Sequence, residues 1–398
     1  MKYDFDKVID RRGTYSMKWD LIPIMSDIGW GESGNKETIA MMTADMDLQC
    51  PQPVIDAMHR VADHMMYGYS SHLCDPQYAS SLCRWFKDRH DWDILPEEVI
   101  SSHGTFGALT HVAKMKAKEG QGVILLNPVY GHFSQDVKVW NRKVVFCHLI
   151  NNAGYYTIDY EKLEQLASDP NNTLLIFCNP HNPVGRVWTA EEIRKVSEIC
   201  EKHGVFIISD EVHCDHLRKG VRYTPFLKAC VNKSNVVCLV GVNKSFNMAG
   251  LSCSNAIVQD KSLYDEIMKD YPMNLPSPFA IAGQIAAFTE GDEWMDQVCE
   301  YIESNIDWAI DFFRKEMPRL VIAKPEGTYC LWIDFSAYGL TEEEIHKRIY
   351  TNANVFLQDG TVHDPEEGQC FQRMCLPCAR SVLMTACQRI AAAFRDVE

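Results

Sequence analysis

The apolar and polar positions in the middle of the chain repeat one unit: a short apolar run, a polar loop and an amphipathic helical stretch. The apolar runs, rich in valine, leucine and isoleucine, lie at residues 99–102, 122–126, 173–178, 205–208 and 236–240. Runs of this length without polar alternation are typical of strands buried on both faces of a parallel sheet. The pattern predicts an α/β fold of three layers, with a mostly parallel sheet between helices.

The length and the changes in composition predict how the chain is divided. With 398 residues, it is longer than one simple core usually supports, so we expect two subdomains. Residues 1–48 are polar and irregular and predict an N-terminal arm, whereas residues 49–275 hold the repeated units of the large domain. Residues 276–398 predict a smaller α+β domain that includes the arm. Within it, residues 325–335 predict a strand, and residues 371–374 end another.

Polar segments follow the apolar runs at the points where the predicted strands end. Ligands of open α/β sheets bind at the carboxyl edge of the strands, so we expect these segments to converge on one cleft. Taken singly, each has an ordinary explanation as a helix cap, a turn or a loop charge. The candidate residues in these segments are Gly104, Thr105, Tyr130, Asn182, Asp210, His213 and Lys244.

Two of these segments carry recognisable chemistry. Lys244 lies just beyond an apolar run that Gly241 ends. A lysine in this position can be partly desolvated, which lowers its pKa and suits it to Schiff-base chemistry, although a single lysine after a strand is more often a surface residue. Gly104 and Thr105 at the start of a predicted helix can offer backbone N–H groups and a hydroxyl to a phosphate.

The composition disfavours several classes of partner. The formal net charge of -15 argues against nucleic acid or an anionic membrane surface. No uninterrupted apolar run is long enough to span a bilayer, and the N-terminal residues lack the apolar segment of a signal peptide. The 16 cysteines are scattered, several of them inside apolar runs. That distribution is typical of reduced thiols and predicts a cytoplasmic protein.

Two further motifs are not assigned a function. Residues 213–216, His-Cys-Asp-His, contain metal-ligand types, but no matching second ligand cluster follows, so we expect no metal site. Cys375 and Cys378 have the spacing of a redox pair. They lack the strand-to-helix context of such pairs, and we interpret the spacing as coincidental.

Three segments together resemble a known family. They are Asn-Pro-His-Asn-Pro-Val-Gly-Arg at residues 179–186, Ser-Asp-Glu-Val-His at residues 209–213 and Asn-Lys-Ser-Phe-Asn-Met-Ala-Gly at residues 243–250. They resemble the pyridoxal-phosphate (PLP) enzymes of the class I/II aminotransferase fold. More narrowly, Asp-Arg-Arg-Gly-Thr at residues 10–14 and Ala-Asp-Met-Asp at residues 44–47 are similar to the MalY/PatB-type cystathionine β-lyases. The resemblance extends over nearly the whole chain.

The resemblance implies a role for each residue around the cofactor ring. Lys244 is expected to bind PLP covalently and, once freed, to remove the Cα proton of the substrate. Asp210 is expected to pair with the pyridine nitrogen, and Asn182 to hydrogen-bond the phenolic oxygen. His213 stands where many relatives carry a tyrosine donor to that oxygen. Tyr130 is expected to stack on the ring.

The resemblance also implies how the phosphate and the substrate are held. Gly104 and Thr105 are expected to bind the phosphate. Arg373, together with Asn182, is expected to bind the substrate α-carboxylate through a bidentate fork. Tyr69 is expected to reach the phosphate in the neighbouring subunit, which makes the protein a homodimer.

The chain departs from the family pattern in two places. The loop before Arg373, residues 359–368, is acidic and contains proline where a glycine-rich loop is expected, which affects the substrate-side wall. Ser252 stands where aminotransferase relatives often have an arginine on the phosphate side. We therefore expect phosphate affinity to depend more on backbone N–H groups, the surroundings of Lys244 and the partner subunit.

The predicted function is α,β-elimination of L-cystathionine or a related cysteine S-conjugate to a thiol, pyruvate and ammonia. An aminotransferase on the same scaffold is the first alternative, since no single residue separates the two reactions. A PLP-bound regulatory protein with little turnover is the second. The intact set of Asn182, Asp210, Lys244 and Arg373 weighs against it.

Overall fold

The computed structural model describes residues 3–29, 31–272 and 274–398. Residues 1, 2 and 30 of the predicted arm and residue 273 of the predicted large domain lie outside the described residues. The strands are β1 Ile39–Ala40, β2 Val99–His103, β3 Gly122–Asn127, β4 Lys143–His148, β5 Ile150–Asn152, β6 Tyr155–Thr157, β7 Asn172–Cys178, β8 Phe206–Asp210, β9 Val236–Gly241, β10 Cys253–Ile257, β11 Val321–Ile322, β12 Cys330–Asp334, β13 Val355–Phe356, β14 Gln358–Asp359 and β15 Phe371–Cys375. The helices are α1 Met17–Asp20, α2 Gln52–Asp63, α3 Gln77–His90, α4 Gly104–Lys116, α5 His132–Val139, α6 Tyr160–Ala167, α7 Ala190–His203, α8 Phe226–Ala229, α9 Val242–Ser245, α10 Lys261–Lys269, α11 Pro278–Glu290, α12 Asp292–Glu316, α13 Glu342–His346 and α14 Arg380–Phe394.

A seven-stranded sheet forms the centre of the larger part of the molecule, in the order β2-β10-β9-β8-β7-β3-β4. Strand β10 runs antiparallel to both of its neighbours, and the other neighbouring pairs are parallel. The carboxyl ends of the parallel strands and the start of β10 therefore lie at the same edge. The mostly parallel sheet predicted from the apolar runs is confirmed.

Both faces of this sheet are covered by helices. Alternate side chains of a strand point to opposite faces, and in β7 Leu174 and Ile176 belong to one apolar cluster while Leu175 and Phe177 belong to the other. Helices α4, α5 and α10 cover the first face, and α2, α3, α7 and α11 contribute to the second cluster. The predicted three-layer arrangement is confirmed.

The C-terminal part contains a second sheet of four antiparallel strands, in the order β11-β12-β15-β14. The N-terminal arm joins this part, because Ile39 and Ala40 of β1 pair in parallel with β13. The proposed boundaries at 48/49 and 275/276 stay a prediction. The strand predicted at residues 325–335 begins only at Cys330, because Thr328 has a left-handed backbone conformation that interrupts it. Among the described helices, none has the length and apolar character needed to cross a membrane.

Candidate active site

The carboxyl edge of the large sheet opens into a cavity of about 330 Å³. This volume is at the lower end of the range of small-molecule sites. All the candidate residues predicted to follow strand ends lie on its wall. The lining consists of Ala44, His103, Gly104, Thr105, Phe106, Tyr130, Cys178, Asn182, Asp210, Val212, His213, Asn243, Lys244, Ala249 and Ser252.

Lys244 lies in the single turn α9 that directly follows β9. The turn needs glycine at position 241, since a Cβ there would lie 2.9 Å from the Ser254 Cα. The Lys244 Nζ donates to the carbonyl of Ala44 at 2.6 Å. Burial lowers the pKa of Lys244, and although Asp45 opposes this shift, the net change is downward. A lowered pKa makes the neutral amine more available as a nucleophile and base.

Ala44 is a site residue that the sequence analysis missed. Its carbonyl accepts from Lys244 and also from the Tyr329 hydroxyl at 3.0 Å. A backbone acceptor leaves no side-chain signal in the sequence. Its position depends on an ion pair in the arm, where the buried Lys18 Nζ lies 2.7 Å from Asp47 Oδ2 and also donates to a backbone carbonyl.

This buried ion pair predicts a large effect on stability. We expect Lys18→Met to lower the free energy of unfolding by about 3 kcal/mol, because it leaves the Asp47 carboxylate buried without that cation. Arg11 and Trp19 still donate to Asp47. The expected loss of stability is therefore at the lower end of the range for broken buried ion pairs. Urea unfolding gives the measurement, and Lys36→Met, at an exposed position of the same arm, is the control. Equal stabilities of the two variants would contradict the prediction.

A buried hydrogen-bond network around His216 and Asp215, here called the support group, contacts the backbone of Lys244. The His216 Nε2 lies 2.8 Å from the Lys244 carbonyl. The Asp215 carboxylate accepts from Trp85 and Ser245 and lies 2.8 Å from His90 Nε2. Ligand atoms of His90, Cys214 and Asp215 come within 4.8 Å of one another, but the carboxylate already has these protein partners. We therefore interpret the group as structural support for α9.

Two neighbouring carboxylates at the end of β8 face different surroundings. Asp210 lies on the cavity wall, where burial raises its pKa to about 6. Glu211 instead bonds to Ser209, Tyr223 and the backbone N–H of Phe226, all outside the cavity lining. Among the described residues, the Asp210 carboxylate accepts only a long bond of 3.3 Å, from the Val212 N–H. Its carboxylate is therefore suited to a cationic ligand group in the cavity.

Arg373 reaches the site through Asn182. The side chain is buried behind the cavity wall, and its Nη1 donates to Asn182 Oδ1 at 3.2 Å, while Nη2 donates to the Met42 carbonyl at 2.6 Å. Its buried Nε has no hydrogen-bond partner among the described residues. Over the described ranges, no carboxylate forms an ion pair with Arg373. This unpaired cation is chemically suited to a carboxylate, as the resemblance implied.

Tyr130 and His213 supply ring surfaces to the cavity. The Tyr130 ring centroid lies 6.1 Å from that of Phe106, and burial raises the pKa of Tyr130 to about 12. The His213 ring stands edge-on to that of Tyr329, with centroids 5.1 Å apart, and its buried Nδ1 has no hydrogen-bond partner in the described part of the chain. Burial, followed by the charge of Lys244, holds the pKa of His213 well below its ordinary value. The imidazole is therefore neutral, with one nitrogen free for a ligand.

The predicted phosphate side is built from backbone and hydroxyl groups. Gly104 starts α4 with φ +65, a left-handed conformation that favours glycine. The Gly104 N–H donates to the Ser252 carbonyl at 2.7 Å, and Thr105 Oγ1 lies 3.1 Å from Ser254 Oγ. His103 also lines the cavity here, and the sequence analysis did not identify it. The first turn of α4 leaves further N–H groups for an anion.

The acidic loop 359–368 does not line the cavity with its carboxylates. The buried His363 lies 3.1 Å from the Val129 carbonyl, next to Tyr130. Asp364 and Glu366 turn toward His148, whose nitrogens lie 3.1 and 2.9 Å from their carboxylates. In the part of the chain that the structure describes, no residue of this loop belongs to the cavity lining. The Val129 N–H also donates to the His363 carbonyl at 3.3 Å, so the loop supports the wall through the His363 side chain and through its backbone.

The contacts of His148 predict that this loop loosens as the pH rises. Burial lowers the pKa of His148, but Glu366 and Asp364 outweigh it and raise the pKa above its ordinary value. The ion pairs therefore contribute fully below about pH 6.5 and are lost as the pH rises through the raised pKa. We expect the hydrogen-exchange protection of residues 363–368, corrected for intrinsic rates, to fall as the pH rises from about 6.5 through the raised pKa of His148. His148→Gln is the control, and identical pH profiles for both proteins would contradict the assignment.

Tyr69 is the candidate residue that the structure does not bring to this cavity. Its side chain is 100% exposed and is absent from the cavity lining. Within one subunit Tyr69 therefore makes no contribution to the site, and its predicted role depends on a second subunit.

Comparison with known proteins assigns this fold and site to a family. The chain belongs to the family of class I and II aminotransferases, whose family model matches residues 37–390. It is 34% identical over 395 residues to cystathionine beta-lyase PatB of Bacillus subtilis (strain 168), covering 98% of this chain and 99% of that relative. The resemblance inferred from the sequence motifs is confirmed.

Solved structures with the same fold include PLP-bound enzymes. Cystalysin from Treponema denticola, which contains a pyridoxal 5'-phosphate cofactor, has a TM-score of 0.92 and 31% identity, with 100% of both chains covered. The PLP-bound C-S lyase from Staphylococcus hominis has a TM-score of 0.90 and 30% identity, covering 99% of this chain and 98% of that chain. These similarities extend over the whole chain, including the arm.

Proposed function

We propose that this protein is a PLP-dependent carbon–sulfur β-lyase. It converts L-cystathionine or a related cysteine S-conjugate to a thiol, pyruvate and ammonia. The observation that carries the proposal is that Lys244, Asp210 and Asn182 lie on the wall of one cavity, with Arg373 bonded to Asn182 from behind that wall. The names of the similar proteins, a cystathionine beta-lyase and a C-S lyase, support the same reaction.

The residues on the cavity wall fit PLP chemically. The Lys244 amine suits its aldehyde, and the buried Asp210 carboxylate suits a protonated ring nitrogen. Asn182 and the Nδ1 of His213, which bonds to none of the residues that the structure describes, are polar groups suited to a phenolic oxygen. The Gly104–Thr105 turn at the start of α4 suits the phosphate. When bound, PLP supplies an electron-withdrawing ring that stabilises negative charge at the substrate Cα.

The protein's own groups then have separate tasks. Arg373 binds the α-carboxylate of the substrate and, with Asn182, fixes the orientation of Cα. The Lys244 amine takes the Cα proton, and its lowered pKa favours the neutral amine that this step requires. Asp210 stays ionised opposite a cationic ring nitrogen. After proton removal, the thiolate leaves from Cβ, and the remaining product hydrolyses to pyruvate and ammonia.

The test is an assay of the purified, PLP-loaded protein with L-cystathionine and no keto acid. We expect thiol and pyruvate to appear in equal amounts. Turnover that depends on an added keto acid would replace the lyase by the aminotransferase alternative. A cofactor-loaded protein without turnover on any S-substituted cysteine would favour the regulatory alternative. We also propose a cytoplasmic location, which the free cysteines support.

A homodimer is the second part of the proposal. The segment after α2 exposes large apolar side chains, with Met65 at 81%, Tyr69 at 100% and Leu73 at 83%. Contiguous exposed apolar side chains are typical of interaction surfaces. A second copy of the chain would cover them and bring Tyr69 to the phosphate side of the neighbouring site.

Subunit mixing tests this arrangement. If Tyr69 acts across the interface, each site contains Lys244 of one subunit and Tyr69 of the other. Tyr69→Ala and Lys244→Ala then remove residues that different subunits contribute to one site. We expect a refolded mixture of the two variants to exceed the summed activity of the separate proteins, because a hybrid dimer has one site with both residues. The control is a mixture of Lys244→Ala with Lys233→Ala, a variant at an exposed lysine. It shows how far the activity of an unaltered subunit falls when it is mixed with an inactive one. A mixture no more active than its parents, with hybrids demonstrated by mass, would place Tyr69 outside the neighbouring site.

A further inference from the structure

Two buried cysteines face each other across the small sheet. Cys330 of β12 and Cys375 of β15 are paired in the antiparallel register, and their Sγ atoms lie 3.3 Å apart. The sequence motif had paired Cys375 with Cys378, three residues along the chain. In the folded protein the hydrogen-bonded sulfur partner of Cys375 is instead Cys330.

The register of the strands allows a bond between these sulfurs. The Leu376 N–H donates to the Tyr329 carbonyl at 3.1 Å, whereas the Cys375 N–H donates outside the pair to Met41 at 2.9 Å. Cys330 and Cys375 therefore occupy a non-hydrogen-bonded position of the ladder. The Cα atoms at such positions are about 4.5 Å apart, within the range of about 4.4–6.8 Å found in disulfides.

The charges around Cys375 favour its thiolate form. Burial raises its pKa, but the thiol of Cys330 and the charges of Arg373, Lys18 and Lys244 outweigh this and lower the pKa to about 6. Burial and the neighbouring sulfur raise the pKa of Cys330 well above its ordinary value. A thiolate next to a protonated thiol is the starting state of a dithiol couple.

We propose that Cys330 and Cys375 form an oxidative modification site, at which a small hydroperoxide converts the two thiols to a reversible disulfide. The Cys375 thiolate attacks one oxygen of hydrogen peroxide, forming an S–O bond while the O–O bond breaks and hydroxide leaves. The Cys330 sulfur then attacks the oxidised sulfur, and water leaves with the Cys330 proton. Two thiols are oxidised, and peroxide is reduced to water. A dithiol reductant restores both thiols by exchange.

The site is placed to affect substrate binding. Cys375 and Arg373 are two residues apart on one strand, so their side chains share a sheet face. They also approach one backbone acceptor, the Met42 carbonyl, at 3.9 Å from Cys375 Sγ and 2.6 Å from Arg373 Nη2. Disulfide formation removes the negative charge of the Cys375 sulfur beside the buried Arg373 guanidinium. It also changes the approach of both side chains to the Met42 carbonyl. We therefore expect oxidation to decrease activity reversibly.

Burial restricts the reagents that can reach the pair. Cys330 and Cys375 are 0% and 1% exposed, whereas Cys74 is an exposed thiol. A small uncharged oxidant can enter through local fluctuations that exclude a bulky maleimide. We expect the native, reduced protein to react with maleimide at Cys74 and not at the pair.

The experiment uses the full-length, PLP-loaded protein treated with hydrogen peroxide. The protein is then unfolded in denaturant that already contains excess N-ethylmaleimide, so that the buried thiols are blocked as they become exposed, and it is digested without reductant. We expect a peptide that links Cys330 to Cys375, lost on dithiothreitol treatment together with recovery of activity. Cys330→Ala should abolish the linked peptide and make the activity loss irreversible, because Cys375 then oxidises further. Cys330→Ser is the second variant if Cys330→Ala does not fold.

Cys378→Ser is the matched control and should retain the Cys330–Cys375 link. A link between Cys375 and Cys378, or peroxide oxidation confined to other cysteines, would overturn the proposal. An undiminished activity in protein carrying the Cys330–Cys375 link would overturn the predicted effect on the site. The linked peptide is measured independently of turnover, so failure of the proposed lyase activity would leave this test intact.

Discussion

Lys244→Ala is expected to abolish β-elimination, with turnover at least about 10⁴-fold lower, because it removes both the covalent attachment of the cofactor and the base for the Cα proton. Elimination is measured as pyruvate release from L-cystathionine. The absorbance band of lysine-bound PLP should disappear in the same variant. The neighbouring support group of His216 and Asp215 remains in place, so we expect the fold to be retained.

Two controls separate chemistry from folding in this experiment. Lys233→Ala alters an exposed lysine just before the start of β9 and should leave turnover unchanged. Small primary amines added to Lys244→Ala should restore part of the activity, since the truncated side chain leaves space beside Ala44. A Lys244→Ala protein with wild-type turnover would remove Lys244 from the mechanism and, with it, the proposed reaction.

The strand ends were the part of the site that the sequence predicted best. Continuous apolar runs identify buried parallel strands, and the carboxyl-edge rule then places Asp210, Lys244 and Asn182 in one cleft without any contact information. Arg373 was different, because an arginine in a strand has no distinctive pattern. It reaches Asn182 across 191 residues of chain, and only the family resemblance indicated this contact.

Features set by long-range register escaped the sequence analysis. The Ala44 carbonyl reaches Lys244 from an arm that the Lys18–Asp47 ion pair helps to hold in place. Cys330 and Cys375 are separated by 45 residues, whereas spacing motifs connect cysteines that are close in sequence. In the loop 359–368, Asp364 and Glu366 turn away from the cavity because His148 offers a partner there. In each case the partner belongs to a distant segment.

Asp210→Asn is expected to lower turnover by about 10²–10⁴-fold. Breaking a buried ion pair costs about 3–5 kcal/mol, and each 1.36 kcal/mol corresponds to about tenfold in rate. The neutral amide keeps the size of the side chain but cannot hold a positive charge on the ring nitrogen. Pyruvate release at saturating PLP gives the measurement, and cofactor content shows whether binding or turnover has changed.

Glu211→Gln is the matched control, because it neutralises the next buried carboxylate of the same strand end. Glu211 bonds to Ser209 and Tyr223 outside the cavity, so its replacement should affect stability and leave turnover of the folded, loaded protein within about threefold. If the cavity carboxylate acts through its charge, Asp210→Glu should retain more activity than Asp210→Asn. Equal turnover losses in Asp210→Asn and Glu211→Gln would mean that a damaged sheet edge, and not the missing charge opposite the ring nitrogen, limits the reaction.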